Sequence, residues 1–516
     1  MKQQRDFFIR SAGFSVASLA LAITCISASA QQPAKAPADT NLAESVKELR
    51  DQVQELRSAV ADMKSEAAQY RAESAELRRE LESLRSSPPG TQSQTAEATP
   101  LGATGGAPLD LRVGSLEETT QLLQSELRSQ YQTKVESGSK YRVRLSGMAL
   151  LNLFHNGGLV DNLDFPTYSL PHSPYGPNSS FGATLRQSEI GLEVFGPELA
   201  GAKTRGEIQL DFGGGFPSGA LDGINTGLVR LRTANMRLDW AHTSLVVGQD
   251  SLFISPLSPT SFASLAIPSL GYSGNLWAWT PQLRIEHKFD LSDGQNVTVQ
   301  GGILDNVTGE PSYGSHRLPQ AGELSGQPAY AARIGWSKDL NGRPISFGTS
   351  GYYSRQNWGF DWNVDGWATA ADWRVPIASR VEISGEFYRG RAVGGLGGGI
   401  GQSILYSGNP LDPASDFRGV NSAGGWSQIK FSATSRLEFN GAFGVDDPYS
   451  ADVHAFASPV GYYPAVLTAN RSAMMNFIYR PRSDLLLSAE YRRLRTSAIG
   501  TLNTADQVNL IMGVLF

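Results

Sequence analysis

From residue 140 onward, apolar and polar positions alternate with a period of two in short runs, the mark of strands whose two faces meet different surroundings. Gly206, Ile208, Leu210 and Phe212 interleave with Arg205, Glu207, Gln209 and Asp211. Val381, Ile383, Gly385 and Phe387 interleave with Glu382, Ser384, Glu386 and Tyr388, and a further run sets Val508, Leu510, Met512, Val514 and Phe516 on one face. The pattern predicts sixteen strands, near 140–155, 183–195, 203–212, 229–240, 243–250, 277–289, 296–304, 330–337, 345–354, 364–374, 380–391, 425–432, 436–443, 471–479, 485–494 and 507–516. Connections after the even strands are short. Those after the odd strands are mostly long and rich in Gly, Pro and Asn, as at 156–182, 251–276, 305–329, 392–424 and 444–470.

The even strands end on aromatic residues: Phe195, Trp240, Phe289, Trp336, Trp373, Phe431, Tyr479 and Phe516. All but Phe195 share the phase of their strand's apolar face. An even strand count, loops sorted onto one rim and an aromatic girdle at the other predict an all-β transmembrane barrel of about 16 antiparallel strands over 138–516. Apolar residues then face lipid and polar residues the lumen. With an even count both ends of the barrel lie on the side of the short turns, which is the periplasmic side in bacterial barrels.

Ahead of the barrel the period is 3.5. Leu42, Val46, Leu49, Val53, Leu56, Val60, Met63, Ala67, Tyr70, Ser74, Leu77, Leu81 and Leu84 recur in steps of 4 and 3, and 18 of the 45 positions between 41 and 85 are charged. A strict heptad seam predicts an α-helical coiled coil, placed in the periplasm by the topology above; its mixture of side chains leaves dimer and trimer open. Residues 86–137 read as a linker with a short helical pattern at Leu116, Leu123 and Leu127. Residues 1–30 carry Lys2, Arg5 and Arg10, then an apolar stretch, then Ala28-Ser29-Ala30, which predicts a secretory signal peptide.

Composition narrows the chemistry. The 9 Trp, 17 Tyr and 22 Phe lie almost wholly beyond residue 137, charged residues are only 18%, and the net charge of −5 comes with no basic stripe. No nucleic-acid partner is expected. Cys25 stands alone and falls in the signal peptide, so disulfides and Cys-ligated metals are excluded. The six histidines are scattered, and neither H-E-x-x-H nor G-x-S-x-G occurs. No cofactor or metal is expected. The run from Gly394 to Gly401 lacks a phosphate-binding G-x-x-x-x-G-K and reads as a flexible outer loop.

Charges in the lumen phase mark the candidate pore lining: Arg142, Arg144, Arg205, Glu207, Arg237, Arg284, Glu286 and Arg333, joined by Arg230 and Arg232 if the fourth strand shifts phase near its outer end. Guanidinium groups lower the barrier for anions, but Glu189, Glu193, Asp211, Glu382, Glu386 and Glu490 share that face and can pair with them. The third long loop, Ser251 to Asn275, holds three prolines and mostly hydroxyl side chains. It is expected to enter the lumen as a constriction, with Ser251, Phe253, Ser255, Ser258, Thr260 and Ser261 as its candidate residues. Phe516, at the end of an apolar strand face, is the candidate signal for membrane insertion.

Residues 183–290 resemble DcaP-like trimeric outer-membrane porins and, more distantly, phosphate-selective porins. The resemblance is carried by Arg186-Gln187-Ser188 with Gly191, by Arg205-Gly206-Glu207-Ile208-Gln209 with Asp211-Phe212, and by Val229-Arg230-Leu231-Arg232-Thr233-Ala234. Leu245-Val246-Val247-Gly248-Gln249 and Pro281-Gln282-Leu283-Arg284-Ile285 extend it. It implies a homotrimer of sixteen-stranded outer-membrane barrels passing small, often anionic solutes, with lipid around the barrel and barrel-assembly machinery acting on the terminal strand. The primary expectation is a porin for small hydrophilic, anionic solutes. The alternatives are an outer-membrane tether working through its coiled coil and, behind it, a barrel hydrolase; the porin reading predicts no enzyme activity.

Overall fold

The computed structural model describes residues 142–516 apart from 217–226, 293, 311–316, 341, 408–411 and 456–465. The expected signal peptide, coiled coil and linker all lie outside the described residues.

Sixteen antiparallel strands close into one barrel. They are β1 (Arg142–Gly157), β2 (Ser179–Thr184 with Glu189–Leu199), β3 (Ala202–Asp211), β4 (Arg230–Asp239), β5 (Thr243–Ser251), β6 (Trp279–Asp290), β7 (Gln295–Leu304) and β8 (Ala329–Asp339). There follow β9 (Pro344–Asn357), β10 (Asn363–Ala378), β11 (Val381–Arg391), β12 (Asn421–Ser432), β13 (Leu437–Pro448), β14 (Leu467–Arg482), β15 (Leu485–Ala498) and β16 (Thr501–Leu515). Each pairs with its chain neighbours, and β16 returns to β1 in register from Met148↔Leu515 to Gly157↔Asp506. Gly147 and Phe516 exchange backbone hydrogen bonds of 2.8 and 3.0 Å at the seam. Closure leaves no edge strand and satisfies the ladder within the chain, the condition for a sheet in lipid.

The side-chain alternation is carried through the ladder. On β14, Asn470, Ser472, Met474, Asn476 and Ile478 are buried inward, while Ala473, Met475, Phe477 and Tyr479 face out. The outward aromatics form a rim at the short-turn end: Trp336 stacks on Phe347 at 6.1 Å and Phe431 on Phe439 at 6.4 Å. Phe195 is the exception the pattern marks. It lies under the guanidiniums of Arg142 and Arg144, at 5.5 and 5.3 Å, inside the barrel.

Several strand boundaries depart from the sequence expectation. The second strand is interrupted at 185–188, and both of its pieces pair with β1. The seven-residue connection after it shrinks to a two-residue turn, because Ala200 and Gly201 both take positive φ (50° and 75°), the geometry that matches strand twist in a hairpin. The outer connection between β15 and β16 is also only Ile499-Gly500, since both strands run further than the hydrophobic alternation marks them. Thr496 and Asn503 pair across that extension, where loops rather than apolar surroundings cover the sheet and the two-residue period loses its contrast.

The glycine run corrects a second expectation. Gly394, Leu396, Gly399 and Ile400 are buried in two tight 3₁₀ turns. A Cβ on Gly395 would meet the Val307 carbonyl oxygen at 2.1 Å, and Gly399 holds φ +57°. The Gly399 N–H donates to the Tyr388 hydroxyl at 3.0 Å, and that hydroxyl donates to Asp446 at 3.0 Å. These glycines permit close packing; they do not make a loose loop.

Candidate functional site: the lumen wall and an inserted segment

The connection from β5 to β6 runs from Leu252 to Ala278 and is largely buried, with Ile254 at 1%, Ala263 at 0% and Leu270 at 3% exposure. A surface loop would leave its backbone to water. Here the inward side chains of distant strands satisfy it. On β11, Glu386 accepts from the Ser255 hydroxyl and, at 2.8 Å, from the Leu257 N–H. On β12, Gln428 accepts from the Thr260 N–H at 2.6 Å. Asn476 of β14 donates to the Thr260 carbonyl at 2.8 Å, and Glu490 of β15 accepts from the Ser261 hydroxyl.

In the break of β2, Gln187 grips the segment with both ends of its amide. Its Nε2 donates to the Ala263 carbonyl at 2.9 Å, and its Oε1 accepts from the Leu265 N–H at 2.7 Å. Apolar packing continues the seating, with Ala263 against Met148, Leu150, Ile478, Leu486 and Ile511. Further out, Asn470 Nδ2 lies 2.9 Å from the carbonyls of Thr167 and Tyr272 and from the Ser273 hydroxyl, joining the first outer loop to the inserted segment. In that first loop burial pushes the Asp161 carboxyl above its ordinary range, against the donors of Thr167 and Tyr168 that favour the charged form.

The candidate constriction residues therefore serve mainly as anchors. Ser255, Thr260 and Ser261 turn to the wall, Ser258 accepts from Asn275 at 3.0 Å, and Phe253 is buried 5.6 Å beneath Arg284. Ser251 closes β5. Pro256 and Ser258 are the exposed positions of the segment beyond its start.

Between Ser255 and Tyr272 the hydrogen bonds to the wall go to β11, β12, β14, β15, Gln187 and Arg230, and none among the described residues goes to β3 or to β5–β8. The inward side chains of that other arc pair with one another. Arg237 bonds Asp239 at 2.6 Å and Glu286 at 3.0 Å; Arg284 bonds Glu286 and Asp250, both at 2.8 Å. Gln300 donates to Glu286 at 2.9 Å and accepts from Arg333 at 3.4 Å, and Arg333 grips Asp372 with two bonds of 2.7 and 3.0 Å. The result is a continuous belt of charge from β4 to β10.

The outer end of this arc holds a second cluster. The register between β3 and β4 shifts after Gln209↔Thr233, leaving Arg232 as the extra residue and setting Arg230 opposite Asp211; such a bulge turns neighbouring side chains to one face. Arg230 bonds Asp211 at 2.6 and 3.0 Å and the Ala266 carbonyl at 2.6 Å, while Arg232 pairs with Glu189. Both guanidiniums sit over Trp279, at 4.9 and 4.7 Å. Lower down, Arg144 pairs with Glu193 at 3.1 Å and Glu207 accepts from Gln209 at 2.6 Å. Arg142 and Arg205 form no ion pair among the described residues.

The pore-lining candidates thus fall into three groups: the belt (Arg237, Arg284, Glu286, Arg333), the outer cluster (Arg230, Arg232), and the short-turn end (Arg142, Arg144, Arg205, Glu207). Sequence reasoning did not assign Gln187, Gln428, Asn470 and Asn476, nor the anchoring roles of Glu386 and Glu490. Their inward phase was visible in the alternation, but their partners lie up to 229 residues away. Among the described residues no group of three or more His, Cys, Asp or Glu could hold a metal ion.

No protein-family model and no curated protein matches the sequence. Solved structures do match. The barrel superposes on the outer-membrane channel DcaP of Acinetobacter baumannii with a TM-score of 0.56 and 18% identity, covering 74% of this chain and 100% of that one. It also aligns with an anion-selective porin from Comamonas acidovorans at 11% identity and TM-score 0.44, over 73% of this chain and 100% of that one. A third match, OmpT of Vibrio cholerae, has 8% identity and TM-score 0.42, over 74% of this chain and 99% of that one. The fold of this chain is that of the DcaP channel.

Proposed function

We propose that this protein is an outer-membrane porin through which small hydrophilic solutes diffuse passively, with a preference for anions. One observation carries the reading: a segment inside the barrel is bonded to one arc of the wall and leaves a charged arc facing it. A seated segment narrows a barrel without closing it. A belt of fixed charges opposite then offers solutes a polar surface in place of lost hydration water. The anion preference is supported by the positions of guanidiniums relative to carboxylates. Glu386 and Glu490 are occupied by donors of the segment, whereas Arg142 and Arg205 form no direct ion pair among the described residues. Arg230 and Arg232 stand side by side at the outer end.

The outward apolar face and the aromatic rim support an outer-membrane location, with the short turns toward the periplasm. The heptad seam supports an oligomer and the resemblance to trimeric porins a homotrimer, assisted by a periplasmic coiled coil at 41–85, reached through a linker at 86–137 after removal of a signal peptide at 1–30. Protein lacking residues 31–108 should fold but assemble less completely; unchanged yield and heat resistance of the assembly would count against a role for the helix. Phe516 supports insertion by barrel-assembly machinery, because it ends the outward apolar column of β16. Nothing in the interior favours a hydrolase.

Reconstitution in a planar bilayer tests the central reading. Discrete conductance steps with a reversal potential of anionic sign in a salt gradient are expected. A non-conducting barrel would leave a tether, and a cation-selective one would remove the anion preference.

A further inference from the structure

Inside the barrel most guanidiniums meet carboxylates. On the outside, at the long-loop end of β14 and β15, two of them do not. Arg471 and Arg495 are directly opposite each other in the ladder, both outward and exposed. Like charges placed opposite across two strands destabilise the pair unless something neutralises them. Arg493 lies two residues from Arg495 on the same face. Its one acidic neighbour is Asp506, at 3.8 Å, and the Tyr491 hydroxyl already donates to Asp506 at 2.6 Å. Arg471 and Arg495 form no ion pair among the described residues, and Asp447, the next outward carboxylate on β13, reaches neither.

Directly below the arginines, toward the short turns, the same outward face carries an apolar groove of about 550 Å³. Its floor is set low by Gly441 and Ala489, and Phe439, Met475, Phe477 and Tyr491 rise around it. A Cβ built on Gly441 would meet nothing within 4 Å, so the glycine leaves open space that no neighbouring side chain fills. A cationic cluster above an apolar trough matches an amphiphile with an anionic head and hydrocarbon tails, and it matches neither a free anion nor a purely apolar surface.

We propose that the outward face of β13–β16 binds a phosphate-bearing lipid, its phosphate held by Arg471, Arg493 and Arg495 and an acyl chain laid over Gly441 and Ala489. Placing this site in the outer leaflet rests on the porin reading, which sets the long loops outside; the binding chemistry does not. Guanidinium and phosphate pair in a two-pronged, charge-assisted geometry, and the acyl groove supplies the retention that an exposed cluster alone lacks in salt.

The test uses the full chain in detergent, with diphosphorylated lipid A as probe and bound lipid counted by native mass spectrometry. Wild-type protein should retain lipid A about tenfold better than the Arg471→Gln, Arg495→Gln double variant. Fully dephosphorylated lipid A should bind wild type no better than lipid A binds that variant. Gly441→Leu, which fills the groove and leaves the charges alone, should also lower retention. Millimolar inorganic phosphate should not displace the lipid. Equal retention by wild type and the double variant would overturn the proposal, and so would complete displacement by inorganic phosphate, which would make the cluster a free-anion site. Loss of oligomer in the double variant with lipid retention intact would assign the face to a second copy of the chain and overturn it as well. Single-channel conductance of the double variant should equal wild type, because both arginines face outward. A wild type that binds lipid A but does not conduct would therefore fail the porin reading and leave the lipid site standing.

Discussion

The two arcs of the barrel interior use the same kinds of residue to opposite ends. From β11 to β15, inward Glu386, Gln428, Asn476 and Glu490 accept from and donate to the backbone and hydroxyls of the inserted segment. From β4 to β10, inward Arg237, Arg284, Glu286 and Arg333 bond to one another and to side chains of nearby strands. One arc is sealed by a loop and the other stays a charged surface. The lesson is that a polar inward residue in a barrel is not yet a pore-lining residue. What decides is whether a loop donor or a neighbouring side chain reaches it first, since a buried polar group without a partner costs more than a satisfied one gains.

Removing the sealed arc's occupant is the strongest way to break this comparison. Deleting residues 256–271 should free the β11–β15 arc and raise single-channel conductance by roughly twofold or more. Unchanged conductance would mean that the current does not pass the segment.

Next in size is the loss of assembly expected when the seam residue changes. Phe516→Ser should reduce the yield of assembled barrel on both arcs alike, as read by heat-modifiable gel mobility. Normal yield would show that the terminal aromatic is dispensable.

Glu386→Ala with Glu490→Ala removes two acceptors and leaves the segment in place by sequence. Each such hydrogen bond is worth about 0.5–1.5 kcal/mol, so the loop should loosen before the barrel melts. Increased open-channel noise is the expected outcome, with the thermal midpoint lowered only by the loss of the buried Arg492–Glu490 pair. A drop in midpoint with quiet channels would assign the two glutamates to the wall itself.

The smallest effect should come from charge on the open arc. Arg230→Ala with Arg232→Ala should weaken the anion preference measured as a reversal potential, and Arg142→Ala, at the short-turn end, should change it less. Each Arg230 or Arg232 deletion also leaves Asp211 or Glu189 unmatched, which adds to the shift. Equal effects at both ends would mean that selectivity is spread along the wall and not concentrated at the outer cluster.

Much of this was legible in the chain. The phase of Phe195, opposite to the other seven rim aromatics, follows from its neighbours Leu192 and Val194, and it lies where that phase puts it, beneath Arg142 and Arg144. The strand ends were less legible at β15 and β16, because outer loops cover the sheet there and both faces become mixed. The glycine run misled because glycine serves loose loops and close packing equally; only Val307, Ser403 and Tyr388 around it distinguish the two.

The barrel was already written into the chain: a two-residue period gives every strand two unlike faces, and the even strand count, the sorted loops and the aromatic rim turn the apolar face toward hydrocarbon. The chain also determined which charges face inward, because phase is a local property. What those charges do follows from the closed fold. Glu490 becomes an anchor because Ser261 arrives from 229 residues away. Arg232 turns inward because a single inserted residue bulges β4 against β3. Arg471 stands unmatched opposite Arg495 because the register of β14 on β15 sets them there. Partner choice depends on register, bulges and loop paths, and these are settled by the closing of the whole barrel, not by any stretch of the chain alone.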